Sequence, residues 1–450
     1  MKRLLDWMEQ PWGEKTILLF LFCFSLTFHV AYVCHTGNWE RSPAHDTVDF
    51  WRASDKVLAG EAWKKSSQAA RLLDSWRTDT RIRSRNWEDS DYELAYFPLF
   101  PVYLSTLRVF FGDDLLLAHN MLFLRCLSLL LYSGVTVLAF LQARHYFGPA
   151  AALGAGLFCA LNPNLMFWSH YVLTESVFTF ALFLSLYWLV SGCAAPMRWG
   201  RIFFGILSFT AACLTRPILS PFGIPLALWL CVRMKGNTRF LRNFLFLIFG
   251  ASLVFALVMG SGRMQGINRV LPWDFALKSF LVQLKRHYQR LEDSGSSGNN
   301  PASGDSFLKT WDASLQNKFR LAVPVLWENF LKYWHWSILQ SEDTFQNSSV
   351  IRYYAFYYLL AFPCLLASAY FLMSRRQPER GGLFLLWLLL LYFTLVYTST
   401  LRGESAANRY RVPIEPGIAI LAGFTLSRIA APRGRSDPAF FPLGGRPENH

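Results

Sequence analysis

Apolar residues along this chain come in long runs rather than in the strict alternation of half-buried strands. Thr16 to Val33, TILLFLFCFSLTFHVAYV, carries no Asp, Glu, Lys or Arg and is long enough to cross a bilayer. Comparable runs lie near Asn120–Leu141, Ala150–Trp168, Tyr171–Val190, Ile202–Leu214, Ile218–Val232, Leu241–Gly260, Tyr353–Met373, Leu383–Ser399 and Val412–Leu426. The pattern predicts an all-α polytopic membrane protein with about ten transmembrane helices. The first run follows Met1, Lys2 and Arg3 but exceeds a signal-peptide core, and no small-x-small cleavage site follows it, so it is expected to be retained.

Between the runs the polar residues fall into short basic loops and two long stretches. The basic clusters are Lys2/Arg3, Arg144, Arg198/Arg201, Arg233/Lys235/Arg239/Arg242, Arg375/Arg376/Arg380 and Arg428/Arg433/Arg435. With ten helices and a cytoplasmic N-terminus, every cluster falls on one side, as short Arg- and Lys-rich loops do. Both termini are then expected in the cytoplasm. His35–Glu93 and Ser261–Arg352 form two long extracytoplasmic loops. The expected organisation is an N-terminal segment with the first helix over 1–34 and a first outer loop with juxtamembrane helices over 35–114. A transmembrane core over 115–260 and a second outer loop over 261–352 follow. C-terminal helices over 353–430 precede a cytoplasmic tail over 431–450.

Within the first loop, HDTVDFWRASDKVLAGEAW shows helical spacing after Asp49 and reads as a surface helix. AYFPLFPVYLSTLRVFFG, interrupted by Pro98 and Pro101, reads as a juxtamembrane helix. The second loop contains a flexible EDSGSSGNNPASGD stretch (Glu292–Asp305) and an aromatic-dense segment with Trp327, Tyr333, Trp334 and Trp336. Asn347-Ser348-Ser349 is a glycosylation sequon on the same side.

Composition strengthens the membrane reading and removes others. The 450 residues are 53% hydrophobic and 16% charged, against about 25% charged in a soluble domain. The net charge of +14 serves topology, because no zinc-finger, helix-turn-helix or RNA-binding pattern accompanies it. Nucleic acid is therefore not an expected partner. The eight cysteines lie in apolar runs or at helix ends, with no CxxC, and read as small apolar packers.

The polar residues hardest to explain structurally lie at the predicted outer face. Asp46 and Asp49 follow the first helix, and Glu175 in LTESVFTF opens a later one. Arg216 in LTRPILSP falls at a turn, while Arg409, Tyr410 and Arg411 in RYRVPIEP precede the last helix. Ionisable groups beside a membrane span are costly and point to function. An outward carboxylate can take a proton from an acceptor hydroxyl or amine. Interfacial arginines, with Tyr410 beside them, can hold the phosphate of a lipid-linked donor. Each also has a structural alternative. Asp46 can cap the surface helix, Asp49 can be a solvated or capping carboxylate, and Glu175 can join helices. Arg216 can snorkel, Arg409 and Arg411 can anchor at the interface, and Tyr410 can pack there. Asp89-Ser90-Asp91 has the DxD form of metal-dependent sugar transferases, but its neighbours Glu88 and Glu93 favour a solvated acidic loop. The histidines form no metal-binding spacing, and no Gly-rich phosphate loop is present. No cofactor is required by these motifs, with a divalent metal left open.

The stretch DTVDFWRASDKVLAG (Asp46–Gly60) resembles the start of the first outer loop of GT-C membrane glycosyltransferases, with Asp46 as the acid, Phe50 four positions on, and Gly60 beyond. YFPLFP (Tyr96–Pro101) and NPNLMFWSHYVLTESVF (Asn162–Phe178) are similar to segments of GPI-type and related mannosyltransferases. TRP at 215–217 and RYRVPIEP at 409–416 resemble the polyprenyl-phosphate-dependent branch that includes protein O-mannosyl- and aminoarabinose transferases. The resemblance implies a GT-C-like bundle, inverting transfer from a polyprenyl- or dolichyl-phosphate sugar, and Asp46 as catalytic base. The implied partners are that donor, a lipid, glycan or protein acceptor, and membrane lipids. The implied location is the bacterial inner membrane or, alternatively, the endoplasmic reticulum membrane. Many members of these branches carry two adjacent acids where this chain has Asp46-Thr47, so Asp49, Glu175 or neither could supply the second acid. From another class, a transporter or flippase of a lipid-linked or anionic solute would also use charged residues in a helical bundle.

Overall fold

The computed structural model describes residues 7, 10–36, 45–59, 99–193, 198–233, 315–334, 348–373, 380–400 and 409–430. Among them every regular element is helical. The helices are α1 (Pro11–His35), α2 (His45–Ala59), α3 (Leu99–Phe111), α4 (Asp113–Phe147), α5 (Pro149–Ala160), α6 (Pro163–Ser169), α7 (Thr174–Gly192), α8 (Trp199–Thr215), α9 (Gly223–Arg233), α10 (Leu315–Trp334), α11 (Ser348–Met373), α12 (Arg380–Thr400) and α13 (Glu415–Ala430).

Six segments are long and apolar enough to span a membrane: Trp12–His35, Asp113–Phe147, Thr174–Gly192, Arg352–Met373, Gly381–Thr398 and Arg409–Ala430. Their outward faces are apolar: Leu19, Leu359, Leu366 and Leu395 are each at least 65% exposed, as lipid-facing leucines are. The chain is an integral multi-pass membrane protein.

Three runs differ from the uninterrupted helices expected of them. Ala150–Trp168 is two helices, α5 and α6, bent by 48° and counting as a seventh span at most. Asn162 and Pro163 cause the bend: Pro163 opens α6, and the Asn162 side-chain oxygen accepts from the Leu165 N–H at 2.9 Å, a side-chain cap. Ile218–Val232 begins instead as a 3-10 turn, Pro217–Phe222, because Pro221 cannot donate into a regular helix; α9 follows and α8 precedes, both too short to qualify alone. Val412–Ile414 is likewise a 3-10 turn, and α13 starts at Glu415. The expected tally of about ten is thus six or seven among the described residues, and the run Leu241–Gly260 lies outside them. Also outside them are Arg71–Glu93 with its DxD, Glu292–Asp305, Trp336, the asparagine of the sequon and the C-terminal tail.

The chain divides into two compact units, residues 1–267, 359–388 and 412–450 in the first and 268–358 and 389–411 in the second. In the first, α1 joins α4 through a buried hydroxyl pair, Ser25 Oγ to Thr136 Oγ1 at 3.0 Å. The α7 and α8 backbones approach closely, since a Cβ on Gly205 would come within 2.7 Å of the Leu189 side chain. The closest crossing is between α5 and α13. A Cβ on Gly423 would stand 2.3 Å from the Ala155 nitrogen and 2.6 Å from the Ala151 oxygen, so the two helices touch backbone to backbone. Small residues make such contact possible in a bilayer, where dispersion and close packing rather than water exclusion join helices. The second unit is braced by Asn329, whose amide donates to the Thr398 carbonyl at 2.8 Å, and by stacking of Tyr333 on Tyr397 at 6.0 Å.

Candidate active site

In the first unit the candidate site is assembled from the beginning of α2, the irregular stretch between α6 and α7, and the end of α8. Helix α2 is buried from Thr47 to Ser54. Val48, Phe50 and Trp51 are buried in a cluster with Phe100, Leu104, Leu116, Leu124 and Val172. Phe50 meets Phe100 edge-on at 4.8 Å. At these burials the three α2 side chains contribute several kcal/mol of apolar stabilisation, at about 1.5–3 kcal/mol for a fully buried large side chain.

Polar contacts fasten α2 at both ends. Near its start, the buried Thr47 hydroxyl donates to the Val172 carbonyl at 2.9 Å. Near its end, Arg108 of α3 reaches across. Its guanidinium donates to Ser54 Oγ at 2.7 Å, pairs with Asp55 at 2.7 Å, and forks onto both Asp113 oxygens at 2.7 and 2.8 Å. The same guanidinium lies 4.5 Å from the Trp51 ring centre, a cation–π contact. Burial pushes the Asp55 carboxyl above the usual range, with the Arg108 charge opposing it. Asp113 opens α4 directly after Gly112, whose φ of 76° lies in the left-handed region natural to glycine. Arg108 thus ties three helices together.

Asp46 sits in the first turn of α2, partly exposed, where its charge complements the helix dipole. Asp49, one turn on, is buried with 3% exposure and faces Arg52 at 3.8 Å. Thr47 explains the missing second acid: it donates to a carbonyl, which an ionised carboxylate cannot do.

Glu175 and Arg216 come together. Both are buried, and the Arg216 guanidinium forms an ion pair and hydrogen bond with the Glu175 carboxylate. Arg216 Nε also donates to Thr174 Oγ1 at 3.1 Å, and Thr174 Oγ1 donates to Glu175 Oε2 at 3.2 Å. Arg216 ends α8 and Glu175 begins α7, so the pair closes that hairpin at one end. This is a buried, paired arginine rather than a snorkelling one. Because Thr47 holds Val172, the start of α2 with Asp46 lies against the segment that leads into this pair.

Arg409, Tyr410 and Arg411 belong to the second unit. Arg409 and Tyr410 are partly exposed. Tyr410 stacks on Tyr397 at 4.9 Å with the rings nearly parallel. Arg411 is fully buried, donates to the Tyr333 carbonyl at 3.4 Å and lies 4.5 Å from the Tyr358 ring centre.

Several buried polar residues escaped the sequence reading. Arg108 was visible only as a basic residue in an apolar stretch. Arg125, buried on α4, follows a break at Ala118–Met121 where His119, Asn120 and Met121 take φ of 47°, 56° and 61°. Asn162, Asn164 and Glu415 stand within quoted motifs, and the signal that could have found them is an acid and two amides beside prolines in apolar runs. Among the described residues no group of three or more His, Cys, Asp or Glu side chains gathers as metal ligands would.

The apolar spans define the class, an all-α polytopic membrane protein among the described residues. Residues 109–261, about a third of the chain, match the family model described as dolichyl-phosphate-mannose-protein mannosyltransferase, a GT-C family. The match spans α4 to α9 and includes Glu175 and Arg216, while Asp46, Arg409 and Arg411 lie outside it. It supports a glycosyltransferase of the GT-C type that uses a polyprenyl-phosphate sugar. No curated protein matches the chain.

Proposed function

We propose that this protein transfers mannose, or another hexose or pentose, from a polyprenyl- or dolichyl-phosphate donor to a lipid, glycan or protein acceptor. Transfer takes place on the periplasmic or lumenal side of a bacterial inner membrane or, alternatively, an endoplasmic reticulum membrane, with both termini cytoplasmic. Asp46 is the base. Its carboxylate takes the proton of an acceptor hydroxyl as that oxygen attacks the anomeric carbon. The bond from that carbon to the phosphate oxygen breaks, its electron pair leaves with the polyprenyl phosphate, and configuration inverts. Arg409, Tyr410 and Arg411 serve the departing phosphate. Arg216 acts with Glu175 as a pair, the arginine serving the phosphate and the carboxylate orienting donor or acceptor. No nucleotide is needed, and no step here requires a metal.

The observation that carries this reading is the contrast among the three candidate carboxylates. Asp49 and Glu175 are buried, whereas Asp46 is partly exposed in the first turn of α2. A base must reach its substrate.

The test is sugar transfer by purified parent and Asp46→Asn from radiolabelled dolichyl- and decaprenyl-phosphate mannose, with a membrane extract as acceptor. Asp46→Asn should lose about 100-fold or more, the scale of general-base removal. Full activity in the variant would sink the role of Asp46. Absence of transfer by the parent with every donor offered would shift the reading to the transporter.

A further inference from the structure

Glu415 is fully buried, an acid in the first turn of a membrane-spanning helix. Both its oxygens are engaged by side-chain amides from one turn: Asn162 Nδ2 donates to Oε2 at 2.8 Å, and Asn164 Nδ2 donates to Oε1 at 3.2 Å. These residues straddle Pro163, so the carboxylate grips the 48° bend between α5 and α6 from both sides. Asn162 is doubly used, because its oxygen caps α6 while its nitrogen serves Glu415.

The helix crossing explains why these residues meet. Gly423 touches Ala151 and Ala155, backbone against backbone. Glu415 lies eight positions before Gly423, and Asn162 seven after Ala155. At 1.5 Å per residue both stretches run about 10–12 Å from the crossing. Antiparallel helices therefore bring Glu415 to the asparagines. The crossing sets the distance, and the hydrogen bonds fix the bend.

Ten residues after Asn162 comes Val172, whose carbonyl receives Thr47, followed by Thr174 and Glu175, which receive Arg216. The short helix α6 spans most of that interval, with its side chains largely buried. A rigid α6 transmits the orientation of its capped end to the Val172 segment.

We propose that Glu415 is a positioning residue: by clamping Asn162 and Asn164 it sets the angle of α6, and so holds the Val172–Glu175 segment where it receives the Asp46 helix. The inference rests on the glycosyltransferase reading for its catalytic consequence, but its structural content stands apart. Hydrogen bonds to a charged acceptor are among the stronger ones, and losing the acceptor leaves two buried amides without it. Gln in place of Glu keeps the shape: its oxygen accepts from Asn162, whose own oxygen is fixed as the α6 cap, and its NH2 donates to Asn164 once that amide turns its oxygen inward, so it should preserve most of the clamp, whereas Ala removes it.

The test uses the full chain in detergent with Val48→Cys and Val172→Cys, two buried members of one cluster, linked by copper-phenanthroline oxidation and identified by peptide mass mapping. Val172→Cys leaves the carbonyl that binds Thr47 intact. Adding Glu415→Ala should slow cross-linking about tenfold, and Glu415→Gln should stay within about twofold of the parent pair. Where Glu415→Ala yields no folded protein, Asn164→Ala removes the longer of the two bonds and should slow cross-linking about threefold. Parent-like cross-linking in folded Glu415→Ala, or in Asn164→Ala, overturns the clamp. So does a Gln variant as slow as the Ala variant. Mannose transfer is followed on the variants without added cysteines, where Glu415→Ala should lower kcat with little change in donor KM. Cross-linking that responds as expected while the parent transfers no sugar would leave the clamp standing and remove the transferase reading.

Discussion

Replacing Arg108 by Met removes a charge that three helices share, and the structure supplies the terms for its cost. The Arg108 side chain is 4% exposed, Asp55 is 15% exposed and Asp113 is 32% exposed. Removing one partner of a buried ion pair costs about 3–5 kcal/mol, mainly because the other charge stays buried. Asp113 can turn to water and recovers part of this, as exposed pairs contribute little. Asp55 cannot, and Ser54 loses its donor as well. The expected destabilisation at neutral pH is about 3 kcal/mol. The pH dependence has a definite sign. Asp55 already has a raised folded-state pKa, and such a group contributes stability that is present below its unfolded pKa and lost as pH rises through its folded one. Without Arg108 the Asp55 pKa rises further, so the deficit of the variant grows between about pH 4 and neutrality. Thermal unfolding in detergent, followed by Trp fluorescence at pH 4 and 7.5, measures this. Arg108→Met with Asp55→Asn should recover part of the loss at pH 7.5. A variant that melts with the parent at both pH values would refute the account of the α2–α3–α4 junction.

Other substitutions probe the rest of the bundle. Gly423→Ala puts a methyl group against the backbone of α5, which cannot yield as a side chain does, and should cost about 3 kcal/mol, read as a lowered melting temperature and poor recovery on size exclusion. Glu175→Gln leaves Arg216 buried with a neutral partner and should cost a comparable ~3 kcal/mol, while Glu175→Gln with Arg216→Met recovers most of it; additive losses in the pair would contradict their coupling. Ser25→Ala leaves the buried Thr136 hydroxyl without its α1 partner and should cost about 1 kcal/mol, seen as a small shift of the same melt.

What the sequence alone determined was the solvent. Runs of about twenty apolar residues can satisfy their backbone only as helices in a bilayer, so the all-helical, multi-pass class followed from Thr16–Val33 and its counterparts. Of the motifs that carried the GT-C resemblance, those around Asn162 and Thr215 fall within the matched residues 109–261. Pairing was another matter. Glu175 and Arg216 are forty-one positions apart, and Asn162 and Glu415 are 253 apart. No local pattern links such residues, because their meeting depends on where helices cross. Gly423 against Ala151 and Ala155 decides one crossing, and the α7–α8 hairpin decides the other. Reach was equally hidden. Asp46 and Asp49 are equivalent as letters, but Asp49, one turn further into α2, is buried beside Arg52, while Asp46 at its start stays partly exposed. Chemistry that depends on the kind of residue is written in sequence; chemistry that depends on which charges are buried together is decided by tertiary packing, since only packing sets the distance and the solvent between them.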